Sequence, residues 1–86
     1  MGSLIDYVKR KKAQATNLVS HMRIRRTDVA KATTRRILCH LLHPEMRRSK
    51  IAKILNCSES LVSRNIQRSL TDAEEECLGK LMSMES

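Results

Sequence analysis

Apolar residues recur at helical spacing in five or six separate segments of the chain. Ser3 is a favourable N-cap for a first helix that runs to Lys12. A short second helix is predicted over residues 16–21, and the basic stretch MRIRR that follows predicts a connection. The N-terminal quarter is therefore expected to form two helices.

The longest periodic segment begins at Thr27 or Asp28, either of which is a candidate N-cap. Pro44 ends this helix, because the residue before a proline is pushed out of the α region. Its apolar stripe follows the i, i+3, i+4, i+7, i+8 pattern of a helix that packs on one side. The stripe consists of Thr34, Ile37, Leu38, Leu41 and Leu42.

Two short helices are predicted in the stretch SKIAKILNCSESLVSRNIQR, the first from Arg47 to Leu55 and the second from Ser58 to about Ser69. Ala52 is small enough for close helix crossing. Asn56 tolerates left-handed backbone angles, and the Ser58 hydroxyl caps the second helix. This agreement of spacing, turn residue and cap is typical of a helix-turn-helix unit.

The second helix of this unit has an apolar side and a polar side, because successive residues rotate by about 100°. Val62, Asn65, Ile66 and Ser69 group on the side predicted to pack. The other side carries residue types that suit base edges in duplex DNA. These candidate base contacts are Ser60, Ser63, Arg64, Gln67 and Arg68.

A last helix is predicted over residues 71–82, where Thr71 and Glu74 have the spacing of a capping box. Its expected buried stripe consists of Ala73, Cys77, Leu78, Leu81 and Met82. Acidic residues crowd its first turn. This helix either completes the core or packs on a partner protein or on a second copy of the chain.

Composition supports a single all-α domain of five or six helices, with a core at about 4–70 and an acidic helix at 71–82. The chain has 86 residues, of which 41% are hydrophobic, with one Tyr and no Phe or Trp. Two Gly and one Pro leave few sites for the tight turns of an all-β fold.

The net charge of +8 favours an anionic partner. Residues 1–70 contain 16 Lys or Arg and 4 Asp or Glu, whereas residues 71–86 contain 1 and 5. Double-stranded DNA is the expected partner. The alternative is a helical protein-interaction module that binds an acidic protein partner. Single-stranded RNA is disfavoured, because stacking needs aromatic side chains.

The Cys and His residues do not have the spacing of a metal or catalytic site. Cys39, Cys57 and Cys77 include no paired Cys-x2-Cys ligands, so buried Cys and surface His are expected, with no metal. No Cys–His pair has a third orienting group, so no enzyme activity and no cofactor are expected. Irregular, odd-numbered cysteines and the lack of a signal peptide or an apolar span predict a cytoplasmic protein.

Three stretches resemble the C-terminal DNA-binding domain of the bacterial replication initiator DnaA. These are LVSHMRIRR, VAK and SKIAKIL, within a similarity that covers about residues 4–69. The resemblance implies a helix-turn-helix whose second helix enters the major groove, a basic loop in the minor groove, and a role in replication or transcription. The family's Arg-Asp-His-Thr-Thr-Val is replaced by CSESLV, so the family's sequence specificity is not carried over. The sequence has no Gly-rich phosphate loop, so the resemblance implies a stand-alone relative and not an initiator ATPase. It also implies a bacterial or phage-like, nucleoid-associated protein.

Backbone or minor-groove contacts are expected from six basic residues. On the resemblance, Lys31 with Arg25 or Arg26 forms the loop contact. Arg47 and Arg48 precede the first helix of the motif, where phosphate contacts often occur. The full set is Arg25, Arg26, Lys31, Arg47, Arg48 and Lys50.

Overall fold

The computed structural model describes residues 3–84, which form five α-helices and no strand. This confirms the all-α prediction. No helix within residues 3–84 combines the length and the apolar character needed to span a bilayer. The helices are α1 (Leu4–Ser20), α2 (Thr27–Leu42), α3 (Arg48–Leu55), α4 (Glu59–Gln67) and α5 (Asp72–Ser83).

The first helix is continuous from Leu4 to Ser20, so the prediction of a separate helix over residues 16–21 is wrong. Ala13, Gln14 and Ala15 are strong helix formers with no Gly or Pro among them, and they carry the helix through. The predicted cap is confirmed. The Ser3 hydroxyl accepts from the Asp6 N–H (3.2 Å), and the Asp6 carboxylate accepts from the Ser3 N–H (3.3 Å).

The second helix lacks the predicted side-chain cap. Arg26 occupies the N-cap position, and neither Thr27 nor Asp28 caps the helix. The Asp28 carboxylate instead pairs with the Arg26 guanidinium at 3.0 Å, on the exposed surface. The apolar stripe is confirmed, since Thr34, Ile37, Leu38 and Leu42 are buried and Leu41 is half-buried.

Helices α1 and α2 contribute to both hydrophobic clusters of the core. The first cluster joins them to α3 and α4 and contains Val8, Cys39, Leu42, Met46, Ile51, Ala52 and Val62. The second cluster joins them to α5 and contains Ala15, Val19, Ile37, Leu38, Cys77 and Leu81. The α1–α2 pair is therefore the scaffold that positions the α3–α4 pair and α5.

The last helix packs against α1 and α2 and so completes the core. Its capping box is confirmed, because the Thr71 hydroxyl accepts from the Glu74 N–H at 3.2 Å. The predicted stripe is partly wrong: Cys77 and Leu81 are buried and Leu78 is half-buried, but Ala73 is exposed and Met82 is 62% exposed. Compared with the predicted orientation, α5 is rotated about its axis, so that Glu74 faces the core in place of Ala73 and Met82.

Glu74 is 4% exposed and forms an ion pair with Arg36 of α2, with 2.6 Å between Oε2 and Nη1. Burial by itself raises the pKa of the Glu74 carboxyl. The hydrogen bond from the Thr71 N–H and the charge of Arg36 outweigh burial, and the net effect lowers this pKa below its ordinary value. The carboxylate therefore stays ionised and joins α5 to α2.

Lys11 is buried, although it belongs to the basic run KRKK. It is 5% exposed, and its Nζ donates to the carbonyl oxygens of Leu81 (2.8 Å) and Met84 (2.7 Å). These carbonyls lie at the end of α5, where the local backbone offers the Leu81 carbonyl only a long hydrogen bond from the Met84 N–H (3.4 Å). Lys11 thus holds the C-terminal end of α5, as Arg36 holds its first turn.

Glu74→Gln is expected to lower the free energy of unfolding by about 2 kcal/mol at neutral pH, because it leaves Arg36 without its counter-charge. The folded-state pKa of Glu74 is lowered, so its contribution is fully present above the unfolded-state pKa of about 4.3. The contribution is lost as the pH falls through the folded-state pKa. The difference in unfolding free energy between wild type and variant, measured by urea unfolding, should therefore shrink in acid.

Glu75→Gln, at an exposed neighbouring position, is the control. A pH-independent difference would contradict the ion-pair account.

Lys11→Met is expected to destabilise the protein by about 2 kcal/mol, because two carbonyl groups at the end of α5 lose a charged donor. Lys9→Met removes the same charge from an exposed position of the same helix and is expected to change stability by less than about 0.5 kcal/mol. Thermal unfolding of both variants measures the difference. Equal stabilities would contradict the structural role of Lys11.

Candidate nucleic-acid interface

Three residues, Asn56, Cys57 and Ser58, connect α3 to α4. Asn56 has φ 56° and ψ 52°, which confirms the predicted left-handed conformation. The Cys57 N–H donates to the carbonyl of Ala52 at 2.9 Å and closes the end of α3. The Ser58 hydroxyl accepts from the Leu61 N–H at 3.1 Å, which confirms the predicted cap of α4.

The inner side of α4 packs on α2 and α3, as the sequence predicts for three of its four residues. Val62 is buried, Ile66 is half-buried and Asn65 is 8% exposed. Ser69 is exposed, because α4 ends at Gln67 and no longer carries this residue to the core.

Asn65 is accommodated in the core by a polar neighbour. Its side chain lies beside the buried thiol of Cys39 and acts to lower the pKa of that thiol. Burial and the nearby Cys57 raise the pKa of Cys39 to about 11, although Arg35 and Asn65 oppose the shift. The thiol therefore stays protonated at neutral pH.

His40 of α2 holds the C-terminal end of α4. Its Nε2 lies 2.9 Å from the carbonyl oxygen of Asn65 and 3.0 Å from that of Arg68. Both partners are acceptors, so Nε2 is the donor. The expectation of a surface His is therefore wrong for His40, which is half-buried and orients α4 on α2.

The outer side of α4 is open to solvent over most of its predicted contact residues. Ser60, Arg64, Gln67 and Arg68 are exposed. Ser63 is half-buried and accepts a hydrogen bond from Nη1 of Arg48 at 3.2 Å. Arg48 thus places the first residue of α3 beside the outer side of α4.

A groove of about 310 Å³ runs between α2 and α4. Four arginines from the two helices line it, and Arg36 among them is already paired with Glu74. The Nε of Arg36 is buried and has no hydrogen-bond partner within residues 3–84. The groove is lined by Ala32, Arg35, Arg36, Leu61, Arg64, Asn65 and Arg68.

The six basic residues expected to contact the backbone or minor groove are all exposed, but they lie at several places. Lys31 borders a separate cavity of about 440 Å³ between α1 and α2, which Arg35 also lines. Arg47 and Lys50 border a third cavity near the start of α1. Arg25 and Arg26 belong to the α1–α2 connection, and Arg48 is the member seen in contact with α4.

Sequence reasoning missed Arg35 and Arg36. Both lie beside the apolar stripe of α2, and Arg35 follows Lys31 by four residues, so the two share a helix face. That spacing could have indicated that one face of α2 is basic. The sequence did not indicate that α2 and α4 lie next to each other, because this contact depends on packing between distant segments.

Within residues 3–84 no group of three or more His, Cys, Asp or Glu side chains is placed to hold a metal ion. Comparisons with known protein families, with curated proteins and with solved structures gave no match. The site is therefore defined by its own geometry: an anchored helix, an open polar side and a groove rich in arginine beside it.

Substitutions at Asn56 test the left-handed turn that sets the angle between α3 and α4. Asn56→Ala is expected to lower the free energy of unfolding by about 1 kcal/mol, because Cβ penalises the left-handed region and Ala lacks the local polar compensation of Asn. Asn56→Gly is expected to equal or exceed wild-type stability, since glycine has no Cβ. Urea unfolding measures both. A more stable Ala variant than Gly variant would contradict the turn geometry.

Proposed function

We propose that this protein binds double-stranded DNA sequence-specifically, with α4 in the major groove. The observation that carries the proposal is the open side of α4. It is polar and basic, while Val62 and the His40 contacts anchor the opposite side. An α-helix with one free side has the width that the major groove admits.

The chemistry of the open side suits base recognition. Arg64 and Gln67 lie on either side of Ser60 at about +40° and −20° around the helix axis. Arginine binds the two acceptors of guanine, and glutamine binds the donor and acceptor of adenine. These three side chains are therefore proposed as the central base contacts, with Ser63 and Arg68 at the two edges.

Phosphate contacts on the α3 side of α4 are proposed for Arg48 and its neighbour Arg47. Arg48 reaches Ser63 and so lies next to the proposed base contacts. Lys50 extends the same basic segment. Arg25, Arg26 and Lys31 lie on the α1–α2 connection and the start of α2, where the DnaA resemblance implies a minor-groove contact.

The resemblance also supports a role in the regulation of replication or transcription. The α3–α4 connection has the left-handed Asn and the Ser cap that a DNA-binding helix-turn-helix needs. The proposed DNA contacts are all made by protein side chains, so the proposal requires no nucleotide or cofactor.

A selection from a random duplex pool, followed by affinity measurements, tests the proposal. Arg64→Ala is expected to weaken binding to the selected sequence by about 1–3 kcal/mol and to weaken binding to random duplex much less. Lys80→Ala removes the same charge from α5, away from the proposed contacts, and should leave both affinities within about twofold of wild type.

Two outcomes would count against the proposal. Equal loss at selected and random duplex after Arg64→Ala would indicate nonspecific attraction to phosphate. No duplex binding at low salt, together with capture of an acidic polypeptide, would favour the protein-interaction module instead.

A further inference from the structure

The groove between α2 and α4 has the composition of an anion site, and we propose that it binds a phosphate group. The groove belongs to two helices that are far apart in sequence, so its basic character is a product of the fold. For the source of the phosphate, the inference rests on the proposed function: the phosphate is a diester of the DNA backbone that borders the major groove.

The charges that face the groove are strongly unbalanced. Four guanidinium groups line it, and Glu74, bonded to Arg36, is the acidic partner seen within residues 3–84. Arg35, Arg64 and Arg68 form no ion pair within that range. Like charges around one groove repel one another, and a bound anion relieves the repulsion.

Guanidinium groups also provide the right donors. Each offers N–H groups in a planar fork that matches two oxygens of a phosphate. Arg35 lies on one wall and Arg68 on the other, so that one phosphate between them accepts from both helices. Arg36 is paired with Glu74 behind the site, and its buried Nε–H has no hydrogen-bond acceptor within residues 3–84.

The position of Arg68 around α4 separates its role from that of Arg64. Relative to Ser60, Arg64 lies at about 40° and Arg68 at about 80°, next to Leu61 at about 100°. Leu61 faces α2 across the groove. Arg68 is thus at the edge of α4 nearest to α2, and we assign it to the phosphate with Arg35. Among the candidate base contacts, Arg68 then becomes a backbone contact.

Titration with inorganic phosphate tests the site without DNA. The Nε–H signals of the arginines are followed by NMR, with chloride as the control at constant ionic strength. The expected result is a saturable shift of the Arg35 and Arg68 signals with phosphate and none with chloride. In Arg68→Gln the Arg35 shift should weaken, whereas in Lys80→Gln it should be unchanged. Absence of a saturable shift, or a shift that spreads evenly over all arginines, would overturn the inference.

Duplex binding identifies the source of the phosphate. Arg35→Gln and Arg68→Gln are each expected to weaken binding to selected and random duplex alike and to lower the salt slope by about 1. Arg35→Lys, which keeps the charge, should restore most of the slope. A sequence-dependent loss in Arg68→Gln would overturn the assignment.

The two proposals fail in different ways. If no duplex binds but the phosphate titration saturates at Arg35 and Arg68, the groove is an anion site and the proposed DNA function is wrong. If Arg64→Ala shows its sequence-dependent loss while Arg35→Gln and Arg68→Gln leave the affinity and the salt slope unchanged, the proposed function stands and the groove inference is wrong.

Discussion

The ion pair between Arg36 and Glu74 is the interaction on which the proposed interface depends. It joins α2 to the first turn of the acidic helix α5 and is almost completely buried, with side-chain exposures of 13% and 6%. A buried pair of this kind is costly to break, because either partner alone would be an uncompensated buried charge. It keeps the acidic helix in the core, where it packs on α1 and α2, and the outer side of α4 stays open.

Polar contacts between distant segments repeatedly close the helix ends of this small protein. Lys11 binds the last carbonyls of α5 from 70 positions away, and His40 binds those of α4 from the last turn of α2. A domain of this length buries a limited share of its surface, and this one has no Phe or Trp to enlarge the core. Charged and imidazole donors therefore bind the ends of α4 and α5. They fix the orientations of these helices more tightly than apolar packing alone would.

Several features that depend on neighbours in sequence are predictable, although the cap of α2 and the continuity of α1 were predicted wrongly. The caps at Ser3, Ser58 and Thr71 and the left-handed Asn56 involve contacts within four residues, and all four are confirmed. Arg23 also adopts a positive φ of 59°, but an arginine has no preference that would have indicated it.

Features that depend on packing were not predictable. The rotation of α5 follows from the position of Arg36, 38 residues before Glu74. The same holds for the candidate site: the open side of α4 could be derived from the helical repeat, whereas the arginine-lined groove beside it required the fold.

Amide NMR mapping during titration with the selected duplex tests the central claim most directly. If α4 enters the major groove, the largest shifts occur at residues 60–68 and at the start of α3, while α5 changes little. Unchanged α4 amides, with the shifts concentrated in α5 or around the exposed start of α1, would contradict the account.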